Sequence, residues 1–116
     1  MIKVYGILNC NTVKKATTWL QQHNIAFTFH DYKKQGITEK QLQQWAAELG
    51  FEKLVNTKGT TWRGLSDVEK ATAATEAGAL KLMQEKTSVI KRPLIEKDGK
   101  TLCLGYDEAA YRQALL

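Results

Sequence analysis

The sequence has only two cysteines, Cys10 and Cys103, and a single proline, Pro93, in 116 residues. Two cysteines so far apart match no zinc-ligand spacing and make no disulfide framework, so the chain is expected to fold without metal or covalent staples, in a reducing compartment. There is no long apolar run, and so no membrane-spanning helix is expected. The first residues lack the charged-then-apolar pattern of a secretory signal, because Lys3 and Gly6 interrupt their apolar run. A cytoplasmic location follows as the expectation. Repeats, low-complexity tracts and blocks of like charge are also missing. The formal net charge of +5 is spread thinly: +2 over residues 1–31, +2 over 32–86 and +1 over 87–116. No segment is basic enough to suggest direct nucleic-acid binding. A mild positive bias still suits a local anion pocket for an oxyanion, glutathione or an acidic protein partner.

What is present reads as one domain in three parts. Residues 1–31 have the pattern β-α-β. A strand is expected over Ile2–Leu8 and a second over about Ala26–His30, with Phe27 and Phe29 on one face. Between them Val13, Ala16, Leu20 and His23 share one face of a helix over 12–23, capped by Asn11 or Thr12 and stopped at Asn24. A single helix between two strands predicts a parallel crossover.

Residues 32–86 read as a helical insert. Thr38 and Gln41 have capping-box spacing ahead of Leu42, Trp45, Ala46 and Leu49, and Gly50 is the stop. Ser66 and Glu69 form a second box before Val68 and Ala71, and a third helix carries Leu80 and Met83. The stretch Asn56-Thr57-Lys58-Gly59-Thr60-Thr61-Trp62-Arg63-Gly64 fits neither period and reads as a polar loop.

Residues 87–116 return to strands over 94–96 and 101–104, joined at Asp98-Gly99, and Asp107 caps a last helix with Ala110, Tyr111 and Ala114. The order β-α-β, helical insert, β-β-α gives an α/β chain of thioredoxin-like arrangement. Its core is expected over 1–31 and 87–116, with the insert over 32–86. In that arrangement the first helix starts at the active-site cysteine, and a proline entering the third strand, here Pro93, can face it.

Cys10 is the candidate nucleophile. It lies between the first strand and the first helix, where unpaired backbone N–H groups and the positive end of the helix dipole favour thiolate over thiol. Lys14 and Lys15 add positive charge one turn on. Cys103 lies mid-strand between two leucines, the place of a core residue. Trp45 reads as core, and His23 and His30 have no ligand-like spacing, so no metal site is expected.

The strings Tyr-Gly-Ile-Leu-Asn-Cys-Asn-Thr-Val-Lys-Lys-Ala (5–16), Phe-His-Asp-Tyr (29–32), Asn-Thr-Lys-Gly-Thr-Thr-Trp-Arg (56–63) and Ile-Lys-Arg-Pro-Leu-Ile (90–95) together resemble the ArsC family. That family includes glutaredoxin-coupled arsenate reductases, Spx transcriptional regulators and YffB-like thiol reductases; the string at 56–63 points to the last branch. The resemblance implies a thioredoxin-like fold with a helical insert, Cys10 as nucleophile and Arg92, before Pro93, as an anion-holding arginine. The reductases use two further arginines, and Asn56 and Leu104 occupy those places here. Lys58 is the nearest cation to the first, with Arg63 further along, but a lysine does not reproduce a bidentate guanidinium grip. This weighs against efficient arsenate reduction. The Cys-x-x-Cys switch of Spx is also missing, because Val13 holds the fourth position.

The resemblance therefore implies a thiol-dependent oxidoreductase, a glutathione-dependent reductase or transferase without a tightly bound cofactor. Glutathione is the expected co-substrate, glutaredoxin a candidate partner, and an oxyanion or a disulfide the substrate. Cys10 and Arg92 are the expected catalytic pair, with Lys58, Arg63, Lys14, Asn11 and Pro93 as expected substrate- or anion-binding residues. The alternatives are an arsenate reductase and an Spx-like regulator that binds RNA polymerase.

Overall fold

A computed structural model describes residues 1–116 as an α/β chain. It divides into two compact units, residues 1–35 with 92–116, and residues 36–91. No helix is long and apolar enough to cross a membrane.

The first unit is built on a four-stranded sheet. Strands β1 (Ile2–Gly6), β2 (Phe27–Asp31), β3 (Leu94–Lys97) and β4 (Lys100–Leu104) lie in the order β2-β1-β3-β4. β1 and β2 run parallel, as the single intervening helix requires, with Tyr5 opposite His30. β3 is antiparallel to β1, placing Lys3 opposite Glu96 and Tyr5 opposite Leu94, and β4 is antiparallel to β3. Asp98 and Gly99, both at positive φ (52° and 81°), make the tight turn between them. Side chains alternate across the sheet. One face carries Ile2, Val4 and Ile95 into a core with Ala16, Trp19 and Leu20 of helix α1 (Asn11–Gln22) and Tyr111 of a C-terminal helix. Gly6 keeps this face open to α1, because a Cβ there would stand 2.8 Å from Val13 Cγ2. The opposite face carries Lys3, Tyr5, His30, Leu94 and Glu96.

Local signals set the ends of these elements. β1 stops at Gly6 rather than Leu8, because the chain must turn through residues 7–9 to bring Cys10 to the start of α1. The helix is capped by neither Asn11 nor Thr12. Cys10 itself is the N-cap, with extended backbone (φ −139°, ψ 123°) and a carbonyl that accepts the Lys14 N–H at 2.9 Å. Asn24 supplies the left-handed stop at φ 57°. The short helix α2 (Tyr32–Gln35) follows β2 directly and packs on it.

The second unit is helical. It contains α3 (Glu39–Leu49), α4 (Phe51–Leu54), α5 (Thr60–Arg63), α6 (Asp67–Thr72) and α7 (Glu76–Glu85), followed by a 3-10 turn (Thr87–Val89). α7 packs against α3, α4, α6 and the 3-10 turn. Leu42 and Trp45 on α3 and Leu80 and Met83 on α7 are buried. Thr38 Oγ1 accepts the Gln41 N–H, and the Ser66–Glu69 box closes in both directions. Two details depart from the sequence reading. Val68 is exposed, so α6 is held by its cap and its packing on α7 rather than by a buried stripe. The segment expected as loop contains one helical turn, α5, too short for any periodicity to reveal. Backbone hydrogen bonds from Asn56 N to Val89 O and from Lys91 N to Leu54 O, both 2.7 Å, close the unit at its ends.

The last helix, α8 (Glu108–Leu115), returns to the first unit, capped by Asp107 Oδ1 on the Ala110 N–H. Tyr111 on α8 donates its hydroxyl to the Gly105 carbonyl at 2.7 Å, and Gly105 N–H donates to the Pro93 carbonyl at 2.8 Å.

Candidate active site

Cys10 and Arg92 come together within the first unit. β1 and its turn deliver the thiol to the amino end of α1, and the segment entering β3 delivers the guanidinium, through a cis Arg92–Pro93 peptide. Partial burial alone would raise the thiol pKa. The Val13 N–H, the hydrogen-bonding and charge of the Arg92 guanidinium, and the Thr12 N–H together outweigh it, and the thiol lies below its ordinary value. The two amides face the sulfur without closing to a capping hydrogen bond. The sequence argument for an activated thiol rested on the helix terminus, on nearby lysines and, through the family resemblance, on Arg92; in the structure the Val13 and Thr12 amides and the Arg92 guanidinium act on the sulfur.

Cys103 is in a different situation. It is half-buried against the α1–α8 face of the sheet, and burial, followed by the charge of Asp107, pushes its thiol up. It is packed at the rim of the core rather than within it. The two cysteines are unlike in the property that governs nucleophilicity.

Behind Arg92 lies a group of buried polar side chains that the sequence reading did not single out. Tyr5 Oη donates to Glu96 Oε1 at 2.8 Å, and both residues are buried. Tyr5, His30 and Tyr32 gather with ring centroids 4.9 to 6.4 Å apart. The Tyr32 hydroxyl is buried without a hydrogen-bond partner and lies within the field of Tyr5, Arg92 and Glu96. Burial first, then Glu96, raises the Tyr5 phenol. The available signal was strand parity: residues two apart on β1 and the facing positions of β3 share a face, so Tyr5 and Glu96 meet diagonally once the antiparallel register is known.

The other expected site residues are distributed over both units. Asn11 and Lys14 are exposed on the first turn of α1, beside the thiol in sequence. Pro93 is buried, with its carbonyl held by Gly105. Lys58 and Arg63 belong to the second unit and close on each other: Arg63 Nη2 donates to the Lys58 carbonyl at 2.6 Å, and Asn56 Oδ1 accepts the Lys58 N–H at 3.1 Å. Leu104 ends β4, half-buried. No group of three or more His, Cys, Asp or Glu side chains is placed to hold a metal ion.

Comparison with known proteins agrees with this architecture. Residues 5–114 match the family model described as the ArsC family. The solved structure of the YFFB protein is 44% identical and covers 100% of both chains at a TM-score of 0.93. An arsenate reductase (ArsC) related protein from Brucella melitensis is 40% identical over 97% of this chain and 92% of its own, with a TM-score of 0.77. The global transcriptional regulator Spx 1 of Lactococcus lactis is 30% identical over 99% of this chain and 89% of its own length.

Proposed function

The chain belongs to the ArsC family, and from that premise we propose that it is a glutathione-dependent thiol reductase or transferase working through one nucleophile, Cys10. The observation that carries this reading is the pair formed by Cys10 and Arg92 at the start of α1, with the thiol held below its ordinary pKa. An ordinary thiol near pKa ~8.5 is only a few per cent ionised at neutral pH, so lowering the pKa raises the attacking fraction.

In the first step the Cys10 thiolate attacks the glutathione sulfur of a mixed disulfide R–S–S–G. The Cys10 S–S–G bond forms, the S–S bond of the substrate breaks, and R–S⁻ leaves as a thiolate that takes a proton from water. In the second step a glutathione thiolate attacks the glutathione sulfur of that adduct. Oxidised glutathione leaves and Cys10 returns as the thiolate. Arg92 stabilises the thiolate at the beginning and end of the cycle. Val13 stands where a neighbouring resolving cysteine would be, and Cys103 has its thiol pushed up, so the second thiol is supplied by glutathione or glutaredoxin.

Intact-mass measurement after exposure to oxidised glutathione tests this. Addition of one glutathione is expected on the native protein and on Cys103→Ser, and none on Cys10→Ser; an adduct persisting on Cys10→Ser would sink the reading. Arsenate in place of the disulfide, with glutathione and glutaredoxin coupled to NADPH, separates the arsenate reductase reading. The missing guanidinium groups at Asn56 and Leu104 support a background rate there. The likeness to Spx 1 supports a second reading, a regulator that binds RNA polymerase. Capture of a polymerase subunit by a protein without thiol turnover would favour it.

A further inference from the structure

A groove of about 660 Å³ follows α1 and starts at Asn11, the residue after Cys10. Lys14, Lys15, Trp19 and Gln22 line it along the helix, and Tyr106 lines it from the segment between β4 and α8. Its lining holds two cations and no carboxylate. The nearest acidic residues in sequence are engaged elsewhere: Asp107 Oδ1 caps α8 at Ala110 N, 3.2 Å, and Glu108 pairs with Arg112 at 3.6 Å. Trp19 is 4% exposed, and its buried Nε1–H finds no acceptor in the protein. Buried donors are ordinarily paired, and this one belongs to a residue that lines the groove.

The shape selects among anions. From Asn11 to Gln22 the helix rises about 16 Å at ~1.5 Å per residue, the length of about five extended residues at ~3.3 Å each. Lys14 and Lys15 are consecutive, hence about 100° apart around the helix. They flank the groove rather than converge on one point, which suits carboxylates spread along a chain better than a single compact anion. The half-buried Tyr106 ring offers apolar contact over the buried Trp19.

We propose that this groove docks an acidic polypeptide segment, the stretch of a protein substrate that flanks the sulfur attacked by Cys10. The last clause rests on the thiol-reductase reading; the docking does not. The charge of the lysines gives affinity and orients the segment, and the start of the groove beside Cys10 sets the distance between acidic residues and reactive sulfur. Selection among disulfide substrates then lies in the sequence around the disulfide as well as in the disulfide itself.

The test uses two cysteine-free hexapeptides, one rich in glutamate and its glutamine counterpart, titrated into the nitrogen-15-labelled protein. The readouts are the Trp19 indole N–H and Lys15 amide resonances. The glutamate peptide is expected to saturate shifts at both, with the glutamine peptide at least tenfold weaker. Lys15→Glu is expected to weaken the glutamate peptide tenfold or more, and Lys15→Gln by less. Equal binding of the two peptides, or no shift at Trp19, would overturn the proposal. So would inorganic phosphate producing the same shifts at the same concentration, which would make this a small-anion site. Repeating the titration on Cys10→Ser keeps the two ideas apart: binding retained there, even if Cys10 proves inert, supports the docking site on its own.

Discussion

The two units bury different things. In the second unit the buried side chains are Leu42, Trp45, Ala46, Leu54, Leu65, Ala79, Leu80, Leu82, Met83, Val89 and Ile90, all hydrophobic. In the first unit Asp31 and Glu96 are buried alongside the aliphatic core, with Tyr5, Tyr32 and Tyr111. Burying a charge or a hydroxyl costs free energy unless it is partnered, so a unit that does so gives up stability that an apolar core would keep. The second unit is an ordinary folded body held by caps and hydrocarbon. The first buries carboxylates and hydroxyls in the same unit that brings Arg92 to Cys10.

The sharpest way to test this contrast is alkaline pH. All four tyrosines, Tyr5, Tyr32, Tyr106 and Tyr111, lie in the first unit. Burial raises the phenols of Tyr5, Tyr32 and Tyr111, helped by Glu96 for Tyr5, by Tyr5 and Glu96 for Tyr32, and by Cys103 for Tyr111. A raised folded-state pKa means the folded protein keeps protons that the unfolded chain releases above pH ~10. The stability these groups contribute is therefore whole below pH ~10 and falls as pH climbs past it. For three protons the limiting slope is about 4 kcal/mol per pH unit. Hydrogen exchange between pH 9 and 11, corrected for intrinsic rates, is expected to show the first unit loosening first; simultaneous loosening of both units would contradict the comparison.

Two glycines sharpen it next. At Gly78 a Cβ would lie 1.8 Å from the Thr72 carbonyl oxygen, so Gly78→Ala forces the backbone between α6 and α7 to move. A loss of about 3 kcal/mol is expected in urea unfolding, near the upper end for overpacking. At Gly6 the obstacle is a side chain, Val13 Cγ2 at 2.8 Å, which can give way. Gly6→Ala should cost about 1 kcal/mol. Because Val13 also offers its N–H to the thiol, Gly6→Ala should move the pH inflection of Cys10 alkylation, and Gly78→Ala should leave it in place. Equal shifts from the two would show that the units are not separable in this way.

The smallest effect concerns Arg92 alone. Arg92→Gln removes an opposite charge from Cys10, and the alkylation inflection, measured in a Cys103→Ser background, is expected to rise by about one pH unit. Arg92→Lys should recover part of that shift, since the charge returns without the guanidinium's geometry. An unchanged inflection would leave the Val13 and Thr12 amides as the whole cause.

Most of the fold was legible because its signals are local. Asp107, Ser66 with Glu69, Thr38, Asn24 and Asp98-Gly99 each act within about four residues of themselves, and each acts in the structure as its type suggests. Cys10 was legible for the same reason, since a thiol between a strand and a helix is visible in sequence. The setting of Arg92 was not. Tyr5 and Glu96 are 91 residues apart, and a glutamate beside Lys97 and a hairpin reads as a surface residue until the strand register is known. The single turn Thr60–Arg63 escaped because four residues carry no period, and the backward reach of Arg63 to Lys58 is set by that turn.

The last helix has a consequence for reading alleles of this gene. Tyr111 holds the Gly105 carbonyl, and Gly105 holds the Pro93 carbonyl, one residue from Arg92. Gly105 sits at φ 82°, where other residues are strained. If Cys10 and Arg92 carry the proposed chemistry, a screen for variants that lose it would collect substitutions at Gly105 and Tyr111 among those at Cys10 and Arg92. An allele map drawn along the chain would show two distant clusters, one at each end, that report a single piece of machinery.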